Sequence, residues 1–366
     1  MVINQQSNKT YMKKLVFVMA VLMAVVSCKK DDKVVGKDKD GKELVVNEKG
    51  DTVAKTETQD SLKVETPTAP KEVAVAKGAD GKFAYKYNLE IGKTYPMTLA
   101  IKTTHSASDG KQSQKMVSES KKTIDYTVKD FKDGVYTLEV NSKSYGEKMT
   151  DPSGKSISYD TNSAKPTNKD IAVSWSIYKA MTGKTYMMKV DQKGKVISVD
   201  GLDAVKSSIL NSVKKQVTAE EFKFFTQVIN SSLSKEALSS QFEETMNIFP
   251  NKTLALNESW SDNQKIDKGP MKGNVSMKRT LTSVEPTNTT ITVVGTQKLK
   301  GTESQQGMSM SADNNANVDG KILIDTQSGW INKVSLTKKE TLKRTVEAQG
   351  QKQTMTESVT TVTTVN

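Results

Sequence analysis

One histidine, His105, and one cysteine, Cys28, stand in a chain of 366 residues, so any nucleophilic or metal chemistry has few residues to work with. A Ser–His–acid or Cys–His arrangement needs a histidine to carry the proton. His105 lies in Thr103-Thr104-His105-Ser106, read as a strand end running into a polar loop, and no second histidine is present to build a zinc site. No nucleophile elbow, phosphate loop or dinucleotide fingerprint occurs. The stretch from Asp313 to Gly320 alternates oxygen donors as a calcium loop does. Its glycine comes two residues late and Ile324 stands where the bidentate glutamate belongs, so it is read as a polar hairpin loop. Paired carboxylates of the glycosidase kind meet only in the fold and leave no spacing to read, which ranks a hydrolase last. Trp175, Trp260 and Trp330 each sit in a periodic apolar setting and are assigned to the core rather than to a sugar platform. The expectation is a protein that is not an enzyme, without catalytic residues, cofactor or metal.

The chemistry that the chain does advertise is at its start. Leu15 to Val26 is an unbroken apolar run of twelve residues behind Lys13 and Lys14. A bilayer span needs about 20 residues, whereas a signal-peptide core needs roughly half that. Val25-Val26-Ser27-Cys28 resembles the bacterial lipobox, which implies cleavage before Cys28 and diacylation of its thiol. Residues 1–27 are read as the signal peptide, started at Met1 or Met12. The acylated amine and thiol would anchor the protein stably without spanning the membrane, and no thiol would remain for a disulfide. Lys29-Lys30-Asp31-Asp32 resembles the short export signal that Bacteroidota place after the lipidated cysteine of surface lipoproteins. The expected location is the outer membrane, facing either the cell surface or the periplasm.

The formal charge is +12, yet only Arg279 and Arg344 of the 54 basic residues are arginines. Lysine is a hydrated point charge without the bidentate fork that grips phosphates and bases, and no RNA-type aromatic signature accompanies it. Nucleic acid is therefore not expected as a partner. After Cys28, residues 28–82 read as a flexible mixed-charge linker, because Lys29 to Lys82 carries twelve lysines and twelve acidic residues with few aromatics. Within it, Asp51-Thr52-Val53 and Asp60-Ser61-Leu62 resemble the O-glycosylation acceptor of Bacteroidota, making Thr52 and Ser61 candidate sites.

Residues 83–366 form the expected body. Phe83–Leu89, Tyr95–Thr103, Val135–Val140, Thr185–Val190 and Lys195–Val199 read as half-buried strands, several joined at turns such as Asp133-Gly134 and Gln192-Lys193-Gly194. Gly301 to Asp313, rich in Gln, Ser and Met, reads as a loop tip. Residues 168–248 carry helical periodicity. Ile171, Trp175, Tyr178 and Met181 share one face, as do Leu202, Val205, Ile209 and Val213. Thr218-Ala219-Glu220-Glu221 is a capping box, and Phe249-Pro250 ends the helical stretch. Leu89 to Tyr95 echoes Leu254 to Trp260, and Val190 to Val196 echoes Ile324 to Ile331, which suggests two related halves, 83–200 and 251–366.

The predicted fold is α+β: a mostly antiparallel, strongly curved, half-barrel-like sheet with a central insertion of about three to four helices. The body resembles a family of uncharacterised Bacteroidota lipoproteins, a domain of unknown function, through Ile91-Gly92-Lys93-Thr94-Tyr95, the junction from Lys195-Val196 to Leu202, and Phe249-Pro250 ahead of Leu256 to Trp260. That resemblance implies no activity or site. The architecture is also similar to lipoprotein-localisation carriers, which implies a concave face able to shelter an acyl chain. The leading expectation is a monomeric envelope lipoprotein that binds a hydrophobic or extended ligand, or an envelope protein, through its curved sheet. The alternative is a purely structural scaffold on the cell envelope.

Overall fold

A computed structural model describes residues 44–46, 52–54 and 72–366, apart from 109–112, 268–270, 306–307 and 349–350. Within residues 27–71, β1 (Leu44–Val46) pairs antiparallel with β2 (Thr52–Ala54). The signal peptide, Cys28, Lys29, Lys30, Asp31, Asp32 and Ser61 lie outside the described residues, and Thr52 opens β2.

The body takes in residues from Glu72, ahead of the boundary drawn from composition. Ala74 and Val75 are buried, and the Ala74 N–H donates to Gln327 O at 2.9 Å. A run of four apolar residues, Val73 to Ala76, inside a charged stretch is averaged away by composition, although it suffices for a short strand. That strand, β3 (Val75–Lys77), pairs with β4 (Phe83–Tyr85).

Period-two patterning underlies most of the long strands, since one face is apolar near its base and the other mostly polar. The strands are β5 (Thr94–Ser108), β6 (Ser113–Lys132), β7 (Val135–Thr150), β8 (Ser156–Asp160), β9 (Thr185–Asp191), β10 (Val196–Asp200), β11 (Ser259–Ile266), β12 (Lys272–Val284), β13 (Asn288–Gln305), β14 (Met308–Asp325), β15 (Ile331–Ala348) and β16 (Gln351–Val365). They form one antiparallel sheet in the order β10-β9-β7-β6-β5-β16-β15-β14-β13-β12-β11, with β8 attached to β7. The end strands β10 and β11 do not pair with each other, so the sheet stays open. Four helices complete the described residues: α1 (Lys169–Met181), α2 (Leu202–Val213), α3 (Ala219–Ser232) and α4 (Lys235–Met246). The fold is the α+β, curved-sheet architecture expected from the sequence.

The helices follow their periodicity. Leu202, Val205, Ile209 and Val213 are the buried face of α2. The capping box at Thr218 is formed in both directions, with the Glu221 N–H donating to Thr218 Oγ1 and the Thr218 N–H donating to Glu221 Oε2. Together α2 to α4 fill the concave side. Phe242 of α4 meets Tyr126 of β6 at 5.7 Å, and Tyr126 in turn meets Trp330 at 5.4 Å, joining both halves of the sheet in one core.

The structure departs from the sequence expectation at three strand positions. Residues 301–305 and 308–313 are ladder, not loop tip: Gly301 pairs with Ala312 and Lys300 with Asp313. Asp313 to Gly320 lies within β14, where Ala316 turns inward and is buried while Asn315, Asn317 and Asp319 face out. Polar residues at alternate positions serve the solvent face of a strand there, because the ladder on both sides satisfies the backbone. His105 is likewise in the interior of β5, paired with Met116 and Val359, and not at a strand end.

The two halves share more than a pattern. The Gly92 N–H donates to Val128 O and the Val128 N–H to Lys93 O; in the second half Asn257 N–H donates to Leu281 O and Leu281 N–H to Glu258 O. Gly92 and Asn257 hold φ of 83° and 67°, the left-handed conformation that glycine and asparagine tolerate best. Tyr95 pairs with Tyr126, and Trp260 pairs with Arg279. The β6–β7 ladder shifts register between Val128 and Asp130, and the β12–β13 ladder between Leu281 and Ser283. Asp191 and Asp325 each open a turn whose glycine N–H returns to the aspartate carbonyl, with Gly194 at φ 87° and Gly329 at φ 76°.

Candidate functional site

The place where the sheet fails to close is the site. There, β11 offers one strand edge with no ladder partner among the described residues, and β10 is backed by α4, whose Glu243 Oε1 accepts the Val196 N–H at 2.8 Å. A cleft of about 460 Å³ lies in this seam, walled by the β9–β10 turn, the segment from Asn247 to Lys252, and Trp260, Ser261 and Asp262 of β11.

Each wall is fixed by local chemistry. In the turn, Asp191 Oδ1 accepts the N–H groups of Lys193 and Lys195, both at 2.8 Å, so the aspartate writes the turn as well as facing the cleft. Gly194 is required: a Cβ there would sit 2.7 Å from Met246 O and 3.0 Å from the Tyr87 ring. The Lys193 ammonium donates to Tyr85 O and, at 3.4 Å, to Pro250 O, tying the turn to both neighbouring segments. Partial burial holds its pKa below the ordinary lysine value, with Asp191 opposing that shift. On the second wall, the Tyr87 hydroxyl donates to Met246 O at 2.6 Å and its ring packs on Phe249 at 4.8 Å. Lys252 pairs with Glu258 at 2.8 Å, which keeps that carboxyl below its usual range. On the third wall, Trp260 packs its inner side on the core, and Asp262 pairs with Arg279. Arg279 Nε is buried without an acceptor. The cleft thus presents one indole and one phenyl ring, two carboxylates, three lysines and the amides of Asn247 and Asn251.

Above the helices, the concave face of the sheet mixes polar clusters with apolar side chains such as Met116 and Met355. Glu357 is almost fully buried between His105 Nε2 at 2.9 Å and Arg344 at 3.0 Å, so the lone histidine is one member of an ion-paired cluster spanning β5, β16 and β15. Beside it, Asn314 donates to Glu340 Oε1 at 2.6 Å while Lys338 holds Glu340 Oε2 at 2.7 Å. Sequence spacing could not pair these positions, since their partners lie on strands distant in sequence.

A second buried carboxyl stands apart. Glu147 of β7 is 5% exposed and accepts a hydrogen bond from the Tyr159 hydroxyl at 2.9 Å, in a small cluster with Tyr145, Ile171 and Tyr178. Burial pushes its pKa up to about 7, with the tyrosine hydrogen bond opposing. Of the three tryptophans, Trp330 is core against Tyr95 at 5.1 Å, Trp175 donates to Asp160 O at 3.0 Å beside the Glu147 cluster, and Trp260 alone reaches the cleft. No group of three or more His, Cys, Asp or Glu side chains with metal-binding geometry occurs among the described residues.

Comparison with known proteins adds little chemistry. No curated protein matches the chain. Solved structures that align with it include the COG4313 outer membrane channel from Pseudomonas putida F1, at 6% identity over 77% of this chain and 98% of that one with a TM-score of 0.18. Pseudomonas aeruginosa OpdQ aligns at 6% identity over 75% and 99% of the two chains, also with a TM-score of 0.18. The Salmonella typhi OmpF complex with daunomycin gives 6% identity, 75% and 98% coverage, and a TM-score of 0.18. At these values none supports a shared architecture. One family model does match, over residues 133–331, more than half of the sequence, reaching from the strand after Asp133-Gly134 through all four helices to the second aspartate turn. The chain belongs to DUF6263, a family of unknown function.

Proposed function

We propose that this protein is an outer-membrane lipoprotein, anchored through Cys28, that works without a catalytic step by holding an extended ligand or an envelope partner in the seam between β10 and β11. The observation that carries this reading is the polar cleft lying where the sheet stays open, beside β11, whose outer edge has no ladder partner among the described residues. The base of the concave side is filled by the protein's own helices, and its upper wall sets the bonded Glu357 and Glu340 clusters among Met116, Met310, Val346 and Met355.

The outward face supports tethering rather than spanning. Along β15 it presents Lys333, Ser335, Thr337, Lys339, Thr341 and Lys343, opposite the inward Val334 and Leu336. Strands that cross a bilayer carry an apolar outer band about 25 Å tall, and lysine at the midplane costs roughly 2–4 kcal/mol. No helix among the described residues is long and apolar enough to cross either. Both cleft carboxylates are already engaged, Asp191 by its turn and Asp262 by Arg279, which favours binding over acid–base work.

In-cell photo-crosslinking tests the seam. A photoreactive amino acid in place of Ser261 should give a discrete adduct with an envelope component, whereas the same group in place of the outward Thr341 should not. Equal labelling at both positions, or none at Ser261, would reject the seam as the working surface. Incorporation of an alkyne fatty acid into the wild type but not into Cys28→Ser checks the anchor.

A further inference from the structure

The internal repeat shows what the seam is built to hold. In the closed junction, Tyr95 and its ladder partner Tyr126 form a floor on which Trp330, the residue after Gly329, lies at 5.1 Å and 5.4 Å. The open junction repeats the floor with Trp260 and its ladder partner Arg279. The residue after Gly194, in the place of Trp330, is the exposed Lys195, which points no ring into the site. The cleft therefore lies where the other half of the molecule packs a flat ring of its own, and Trp260 is left as a platform without a cover.

The substitutions around that place run in one chemical direction. Tyr126 is replaced by Arg279, Met97 by Asp262 and Trp330 by Lys195, while the aromatic floor is kept as Trp260. The apolar rim has become a hydrogen-bonding rim, and Arg279 fixes the Asp262 carboxylate against it. A ring with an apolar face and a hydroxylated edge meets both conditions: its C–H face covers the indole, and its hydroxyls bond to Asp191, Asp262, Asn247 and Asn251. We infer that the seam cleft is a carbohydrate subsite, in which Trp260 stacks on a pyranose ring of an extended glycan. This rests on the seam being the working surface and names its ligand class. An aromatic side chain of a peptide partner suits the edges less well, because it would bury the amides and carboxylates without partners.

Affinity electrophoresis of the full chain carrying Cys28→Ser tests it, in gels each cast with one soluble polysaccharide: a β-1,4-glucan, an α-glucan, an α-mannan or a polygalacturonan. The expected result is retardation by at least one, about ten-fold weaker in Trp260→Ala. Trp260→Tyr, which restores the residue of the closed junction, should keep most of it, and Asn251→Ala in the exposed wall should weaken it several-fold without affecting folding. Migration unaffected by every polysaccharide, or retardation equal in Trp260→Ala and the wild type, overturns the assignment. If such a failure coincides with a Ser261 crosslink that persists in cells, the carbohydrate class falls and the seam stands. If the crosslink is missing too, both fall.

Discussion

Replacing Glu147 by glutamine should remove a specific pH dependence from the stability of the body. The carboxyl is 5% exposed, its one hydrogen-bond donor is Tyr159, and its pKa is carried from 4.5 to about 7 by burial. Below pH 4.5 the carboxyl is protonated folded and unfolded, so no penalty applies. Between 4.5 and 7 the unfolded chain releases the proton and the folded chain retains it, so stability falls as the pH rises. Above 7 the full penalty is in force. At about 1.36 kcal/mol for each pH step, the loss across that window is roughly 3 kcal/mol. Glutamine cannot titrate, so urea unfolding of Glu147→Gln, followed by tryptophan fluorescence from pH 4 to 8, should give a difference from wild type that grows by about that amount in favour of the variant. A constant offset from the unpaired amide would shift the whole curve and leave its shape unchanged. Parallel curves for variant and wild type would refute the reasoning, since they would mean that Glu147 reaches water or a cation in solution.

Two further substitutions test the packing that positions the seam. Leu281→Ala empties a fully buried position in the second half, where its N–H and C=O also clamp the Asn257 turn. It should cost about 2–5 kcal/mol in denaturant unfolding, and a value under about 1 kcal/mol would contradict the tight core. Gly194→Ala forces a Cβ against Met246 O at a φ of 87°. It should lower stability by more than about 1 kcal/mol and reshape the cleft wall, read by thermal unfolding and by loss of the Ser261 crosslink.

Local patterns carried the elements well. The apolar period read from the chain is the buried face of α2, and the capping box read at Thr218 is formed. The strands around tight turns were equally legible, because alternation and Asp-Gly chemistry are properties of a few adjacent residues. The long polar strands were not. In Ser113–Lys132 the inward positions above the core include Ser118, Ser120 and Lys122, paired with Thr103, Ile101 and Leu99, so the two faces differ little in hydropathy and period two fades. What makes them strands is the ladder on each side, which comes from residues far along the chain.

The site divides along the same line. Sequence by itself determined the count of one histidine and one cysteine, the α+β class, and the echo between Leu89–Tyr95 and Leu254–Trp260. All of these are short-range facts, readable wherever the chain goes. Only the tertiary structure decided that the sheet stays open between β10 and β11, that Trp330 covers Tyr95 while Trp260 is left uncovered, and that His105 is bound by Glu357 rather than free. Those outcomes depend on contacts between residues as many as 252 positions apart, as for His105 and Glu357, and no local spacing encodes a pairing that only the folded sheet creates.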